Sequence, residues 1–157
     1  MSEKMSEKMS DKKILFLCTG NTCRSPMAEC LWNHLSAERG VPMKAISAGV
    51  HAHQGYPASQ GSWEAMDARG LSLSEHRATP LTEKLLQEVH MVVGMSPAHV
   101  QALRERFPSN TVPARSFSPS VADPVGGSLA VYQRTAAELE ERIQELMAEI
   151  FPKSFPQ

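Results

Sequence analysis

Lys13-Ile14-Leu15-Phe16-Leu17-Cys18-Thr19-Gly20-Asn21-Thr22-Cys23-Arg24-Ser25-Pro26 decides the reading of this chain. Ile14 to Leu17 form an unbroken apolar run, as a strand buried on both faces requires. Cys18 and Arg24 follow with five residues between them. Within that spacer Gly20 permits a left-handed turn and Asn21 tolerates one. Ser25 is placed to cap the next helix, and Pro26 suits a first helical turn, where no N–H is needed. A strand, a tight loop and a helix N-terminus make an anion cradle, because loop N–H groups and unpaired first-turn donors converge. Arg24 adds a planar, permanently charged fork matched to two phosphate oxygens. The same field favours the thiolate of Cys18, so a nucleophile exists at neutral pH. A lone cysteine at a strand end is more often a small buried hydrophobe. The loop around this one points instead to covalent phosphoryl transfer.

Outward from the loop, strand and helix signals alternate. Strands are expected at residues 13–17, 43–47, 89–94 and 112–117, and helices at about 26–39, 59–68, 82–88, 96–106 and 128–150. On the first helix Met27, Leu31 and Leu35 share a face, and Gly40 stops it. On the last, Leu129, Tyr132, Ala136, Leu139, Ile143, Leu146 and Ile150 form a core-facing stripe, with Glu138, Glu140, Glu141, Arg142 and Glu145 in water. The order implies an α/β three-layer sandwich, a four-stranded parallel sheet flanked by helices, with the phosphate-binding loop after the first strand. Ligands of such sheets sit at the carboxyl ends of the strands. Residues 1–12 repeat Met-Ser-Glu-Lys, carry no core residues, and read as a mobile tail whose methionines offer alternative starts. Residues 13–152 read as one domain.

Composition narrows the function. The 157 residues carry 16 basic and 17 acidic side chains, a net charge of −1, so no electrostatic footprint for nucleic acid or an acidic membrane is expected. No run approaches a membrane span, and the start lacks the apolar stretch of a signal peptide, which reads as a cytoplasmic protein. Cys18, Cys23 and Cys30 are the three cysteines, an odd and clustered set that makes a poor disulfide framework. Neither these nor His51 and His53 form a metal set with usual spacing, so no metal or cofactor is expected.

A thiolate attacking phosphorus needs a proton donor for the leaving group and later a base for water. Asp123, in the loop after the fourth strand, is at the correct end of the sheet, and Pro124 stiffens that loop. Spacing alone leaves the simpler alternative that Asp-Pro starts a turn. Glu64 and Asp67, mid-helix, read as surface groups.

Cys18 to Ser25, with Asp123-Pro124 ahead of the last helix, resembles the low-molecular-weight protein phosphatase family. That resemblance implies a small α/β fold, phosphorylated protein substrates, inorganic phosphate as product and no cofactor. It makes Cys18 the nucleophile, Arg24 the phosphate binder and Asp123 the general acid and base. Thr19, Gly20, Asn21, Thr22, Cys23 and Ser25 would surround the phosphate, with Asn21 shaping the loop, Ser25 donating to the Cys18 thiolate, and Ser47 supporting the loop. His76-Arg77-Ala78 and Val93-Gly94-Met95 are further matches.

The run from Cys18 to Glu29 is similar to the bacterial protein-arginine phosphatase branch, as is Asp123-Pro124-Val125-Gly126-Gly127-Ser128 in all but Val125, where an aromatic is usual. In that branch a threonine at the position of Thr22 goes with phosphoarginine, while tyrosine-acting relatives carry a larger aliphatic residue. Phosphoarginine is therefore the expected substrate, with phosphotyrosine the alternative. Tyr56 is the aromatic residue near enough to favour the latter. Arsenate reduction needs cysteines beyond Cys30, and none follows. A non-catalytic phosphate-binding module would be expected to lack the nucleophile or the acid. Two readings of Cys23 stay open, a reversible disulfide that protects Cys18 and simple packing inside the loop. Cys30 reads as inert core.

Overall fold

The computed structural model describes residues 12–155, so the repetitive segment expected as a tail lies outside the described residues except for Lys12. Its strands are β1 Lys13–Cys18, β2 Lys44–Gly49, β3 Met91–Gly94 and β4 Ala114–Ser116. The helices are α1 Arg24–Arg39, α2 Gln60–Asp67, α3 Glu83–Glu88, α4 Pro97–Arg106 and α5 Leu129–Ile150, followed by a 3-10 turn at Pro152–Ser154. All strand pairs are parallel, in the order β2-β1-β3-β4. This is the α/β sandwich expected from the alternation of signals.

The alternation of side chains along β1 builds both halves of the core. Ile14, Phe16 and Cys18 face the layer made with α1 and α5, while Leu15 and Leu17 face the layer made with α3 and α4. Residues 14–17 are fully buried because β1 is central and covered on both faces. Phe16 packs against Trp32 and Phe117, at ring separations of 6.0 and 6.3 Å. The Trp32 indole donates to Met43 O at 2.8 Å, and Asn33 pairs with both backbone groups of Ala45, so α1 holds edge strand β2.

Several boundaries differ from expectation. β2 runs on to Gly49 because its last residues pair with Leu17 and Cys18. Strand β4 shrinks to three residues, since only Ala114–Ser116 finds partners on β3. Ser25 is not the helix cap: α1 begins two residues earlier, at Arg24, with Cys23 in the cap position and no side-chain cap bond. Leu129, expected in the core stripe, is 43% exposed at the start of α5, and Thr135 and Met147 are buried in its stead. Cys30 is half-buried against the core.

The chain leaves β1 toward β2 on one side and returns to pair β3 on the other. That reversal opens a crevice beyond the carboxyl ends of β1 and β3, where Cys18 sits. Gly49 makes the crevice possible. A Cβ there would come within 2.5 Å of Thr19 O and 2.9 Å of Asn21 N, both backbone atoms. Gly49→Ala is expected to displace the loop and cost about 2–3 kcal/mol, read by chemical denaturation, with activity falling more steeply than stability.

Candidate active site

The loop from Cys18 to Cys23 is shaped by what binds its carbonyls. Cys18 O accepts from Val50 N and Thr19 O from His51 N, each at 2.9 Å. Asn21 O accepts from His76 Nε2 at 2.7 Å, Thr22 O from Ser59 N at 2.8 Å, and Cys23 O from Ser62 Oγ at 3.2 Å. These carbonyls are tied to the surrounding scaffold. Among the described residues, the backbone N–H groups of Gly20, Asn21, Thr22 and Cys23 donate to no protein acceptor. A ring of donors with its acceptors tied back is an anion-binding concavity.

Asn21 sets the turn. Among the described residues it is the non-glycine one with positive φ, 56°, whereas Gly20, the other position the sequence offered, does not take the left-handed conformation. The strained backbone is held by the side chain. Asn21 Nδ2 donates to Ser25 Oγ at 2.8 Å and to Ser47 Oγ at 2.9 Å, and Oδ1 accepts from Thr79 N at 2.9 Å.

These bonds fix the protons of both serine hydroxyls. Ser47 uses a lone pair on Asn21 and donates its proton to Glu29 Oε1, 2.8 Å away. Ser25 likewise accepts from Asn21, which leaves its proton for Cys18 Sγ at 2.8 Å. Two arms therefore diverge from the Asn21 amide, one through Ser47 to the Glu29 carboxylate and one through Ser25 to the Cys18 sulfur. Burial pushes the Glu29 carboxyl up, while its bond to Ser47 and the nearby His76 act to lower it.

Arg24 is buried and donates Nη1 to Val121 O at 3.0 Å. Its Nη2 lies 3.6 Å from Asp123 Oδ2, so the residue expected from the far loop does reach the cysteine loop. Asp123 is half-exposed, and its Oδ1 accepts from Val125 N at 3.1 Å, which orients the carboxylate. Cys18, Thr19, Gly20, Thr22, Cys23 and Arg24 line a cavity of about 220 Å³ with Asp123 and Val125. Asn21 and Ser25 are fully buried behind it. A second hollow between α1 and α5, at Leu31, Leu35 and Ile143, offers no nucleophile, and its Arg69 is paired with Glu140.

Cys23 donates to Ser59 Oγ at 3.2 Å and lies 3.6 Å from the Tyr132 hydroxyl. All three cysteines are free thiols. Burial pushes the Cys30 thiol up, and the Glu29 carboxylate adds to this, as expected of an unreactive thiol. No cluster of metal-ligating side chains occurs among the described residues.

The model of the family described as low molecular weight phosphotyrosine protein phosphatase matches residues 13–154. The chain belongs to this family. Like its relatives, this low-molecular-weight phosphatase is a hydrolase acting on phosphorylated proteins. It is 34% identical to a protein-arginine-phosphatase of Bacillus subtilis over 144 residues, 87% of this chain and 95% of the relative. Among solved structures it superposes with a TM-score of 0.84, at 37% identity, on a low molecular weight protein tyrosine phosphatase from T. tengcongensis, covering 88% of this chain and 99% of that one. A cysteine-to-serine mutant of the YwlE arginine phosphatase, bearing a phosphorylated active-site serine, matches with a TM-score of 0.84 at 33% identity over 88% of this chain and 95% of that one. That phosphorylated side chain supports a cysteine-based mechanism for the phosphatase family.

Sequence reasoning missed Ser59, Ser62, Thr79 and His99, all drawn from distant segments. Only Ser59 leaves a local signal, as the cap of α2. His99 is buried on α4, and its Nε2 lies 3.1 Å from Thr19 Oγ1. Burial, with Arg24 nearby, lowers its pKa from the ordinary 6.5 to about 4, with Asp123 opposing.

Two measurements probe this geometry. Ser25→Ala is expected to slow iodoacetamide alkylation of Cys18 at pH 6 about tenfold, the effect of losing the one hydrogen bond donated to the sulfur. For His99 the folded-state pKa lies below the unfolded one. The unfolded state therefore binds the extra proton, and stability is lost as pH falls from about 6.5 toward 4. Denaturation curves are expected to show a loss of about 3 kcal/mol over that window from this group, and a clearly smaller one in His99→Gln.

Proposed function

We propose that this phosphatase hydrolyses phosphoarginine side chains of proteins through a phosphocysteine on Cys18. The observation that carries the reading is the Cys18 thiol at 2.8 Å from a donating Ser25, inside a loop whose carbonyls are tied back. The loop N–H groups and Arg24 hold the three non-bridging oxygens of the phosphoryl group, and their charge is greatest in the transition state. The Cys18 thiolate forms the S–P bond as the bond from phosphorus to the guanidinium nitrogen breaks. Asp123 gives its proton to that nitrogen. The Asp123 carboxylate then takes a proton from water, whose oxygen attacks phosphorus; the S–P bond breaks, inorganic phosphate leaves and the thiolate returns.

Phosphoarginine is favoured by the rim of the cavity. Thr22 lines it, and its hydroxyl lies 3.8 Å from Cys23 Sγ, leaving a small polar wall in the place where an aryl ring would want an apolar one. The residue after Asp123-Pro124 is Val125, 67% exposed and aliphatic, so no ring stacks on the substrate from that loop. Tyr56, also exposed, is stacked on His53 at 5.3 Å. The arginine-acting relative in Bacillus subtilis spans nearly the whole chain.

Turnover of phosphoarginine and phosphotyrosine peptides by wild type and Thr22→Ile tests the substrate. The expected result is a wild-type preference for phosphoarginine that isoleucine reduces at least tenfold in kcat/KM; a wild-type preference for phosphotyrosine overturns it. Asp123→Asn is expected to lower kcat about 10²–10⁴-fold, the usual worth of a general acid.

A further inference from the structure

The steps above leave Thr19 and His99 without a task, although the two are bonded across 80 residues of sequence. His99 is a buried titratable side chain. Its Nδ1 lies 3.2 Å from Ser96 N, a group that can only donate, so Nδ1 is the acceptor nitrogen. In the neutral ring the proton is then on Nε2, 3.1 Å from Thr19 Oγ1. Thr19 oxygen accepts that proton, and its own hydroxyl hydrogen has no acceptor among the described residues. Arg24 and burial both keep the ring neutral, which preserves this direction. Thr19 is exposed and lines the cavity beside Cys18 and Arg24.

We propose that the Ser96–His99–Thr19 chain aims the Thr19 hydroxyl into the cavity, making Thr19 a hydrogen-bond donor to the bound phosphoryl group and His99 its positioning residue. The inference rests on the reading of the Cys18 loop as the phosphoryl site. A hydroxyl whose oxygen already accepts a bond is polarised and becomes the better donor. Without His99 the Thr19 side chain is free to rotate, and ordering it again opposes binding. The bond also fastens the first residue after the nucleophile to the N-terminus of α4, on the neighbouring strand connection.

Calorimetric titration of inorganic phosphate into wild type, Thr19→Val, Thr19→Ser, His99→Phe and the Thr19→Val/His99→Phe pair tests this. Thr19→Val and His99→Phe are each expected to weaken phosphate binding about five- to tenfold, the worth of one net hydrogen bond. Thr19→Ser restores most of the loss, and the double variant binds no worse than the weaker single one, because the two residues act as a unit. Unchanged binding in Thr19→Val overturns the proposal, and so do losses that multiply in the double variant. Thr19→Val alters an exposed side chain, so it keeps the test open even where His99→Phe folds poorly. Binding is read without turnover. Its outcome is thus distinct from failure of the phosphatase reading, which would appear as wild-type turnover that is absent or survives in Cys18→Ser.

Discussion

The site depends on where the carbonyls of one short loop are tied. Between Cys18 and Cys23, backbone oxygens are bonded by Val50, His51, His76, Ser59 and Ser62, which come from three separate segments after β2 and α1. A peptide unit with its oxygen held on the scaffold presents its N–H the other way. Repeated around a tight turn, that constraint collects donors at one point without any added cation. Much of the remaining architecture serves it. Gly49 lets β2 come close enough to supply Val50 and His51, and α2 stands where Ser59 and Ser62 reach the loop.

Such a cradle is useful only if it is rigid before the substrate arrives, since donors that reorganise during the reaction stabilise the transition state less. Asn21 supplies the rigidity. Its left-handed backbone costs energy, and the amide that makes bonds to Ser25, Ser47 and Thr79 offsets it. The same amide determines which way the serine protons point, so the loop's shape and the Ser25 bond to the Cys18 sulfur are set by a single side chain. Arg24 is held in a comparable way. Its bond to Val121 O positions the guanidinium, and its proximity to Asp123 ties the far loop to the near one.

Much of this was legible in the sequence. The apolar run of β1, the Cys18–Arg24 spacing and Asp123-Pro124 carried the fold and the candidate chemistry, because each is encoded within a few neighbouring residues. The sequence also offered a left-handed turn at Gly20 or Asn21. The scaffold offers the Asn21 amide three partners, and the turn forms there. Ser25 looked like a helix cap because a serine before a proline is a common N-terminus; bonds to Asn21 and Cys18 take it instead. The short β4 depended on pairing with β3. Glu29, Thr79 and His99 leave no local pattern, since their roles exist only once strands and helices bring distant segments together.

The central claim is that Cys18 carries the phosphoryl group between the two chemical steps. Rapid acid quench of wild-type enzyme turning over a phosphoarginine peptide, followed by mass spectrometry of the digested protein, tests it most directly. The account predicts one phosphoryl group on the fragment containing Cys18, present during turnover and gone once substrate is exhausted. A phosphoryl group found on a histidine or aspartate, with Cys18 unmodified throughout turnover, would contradict it.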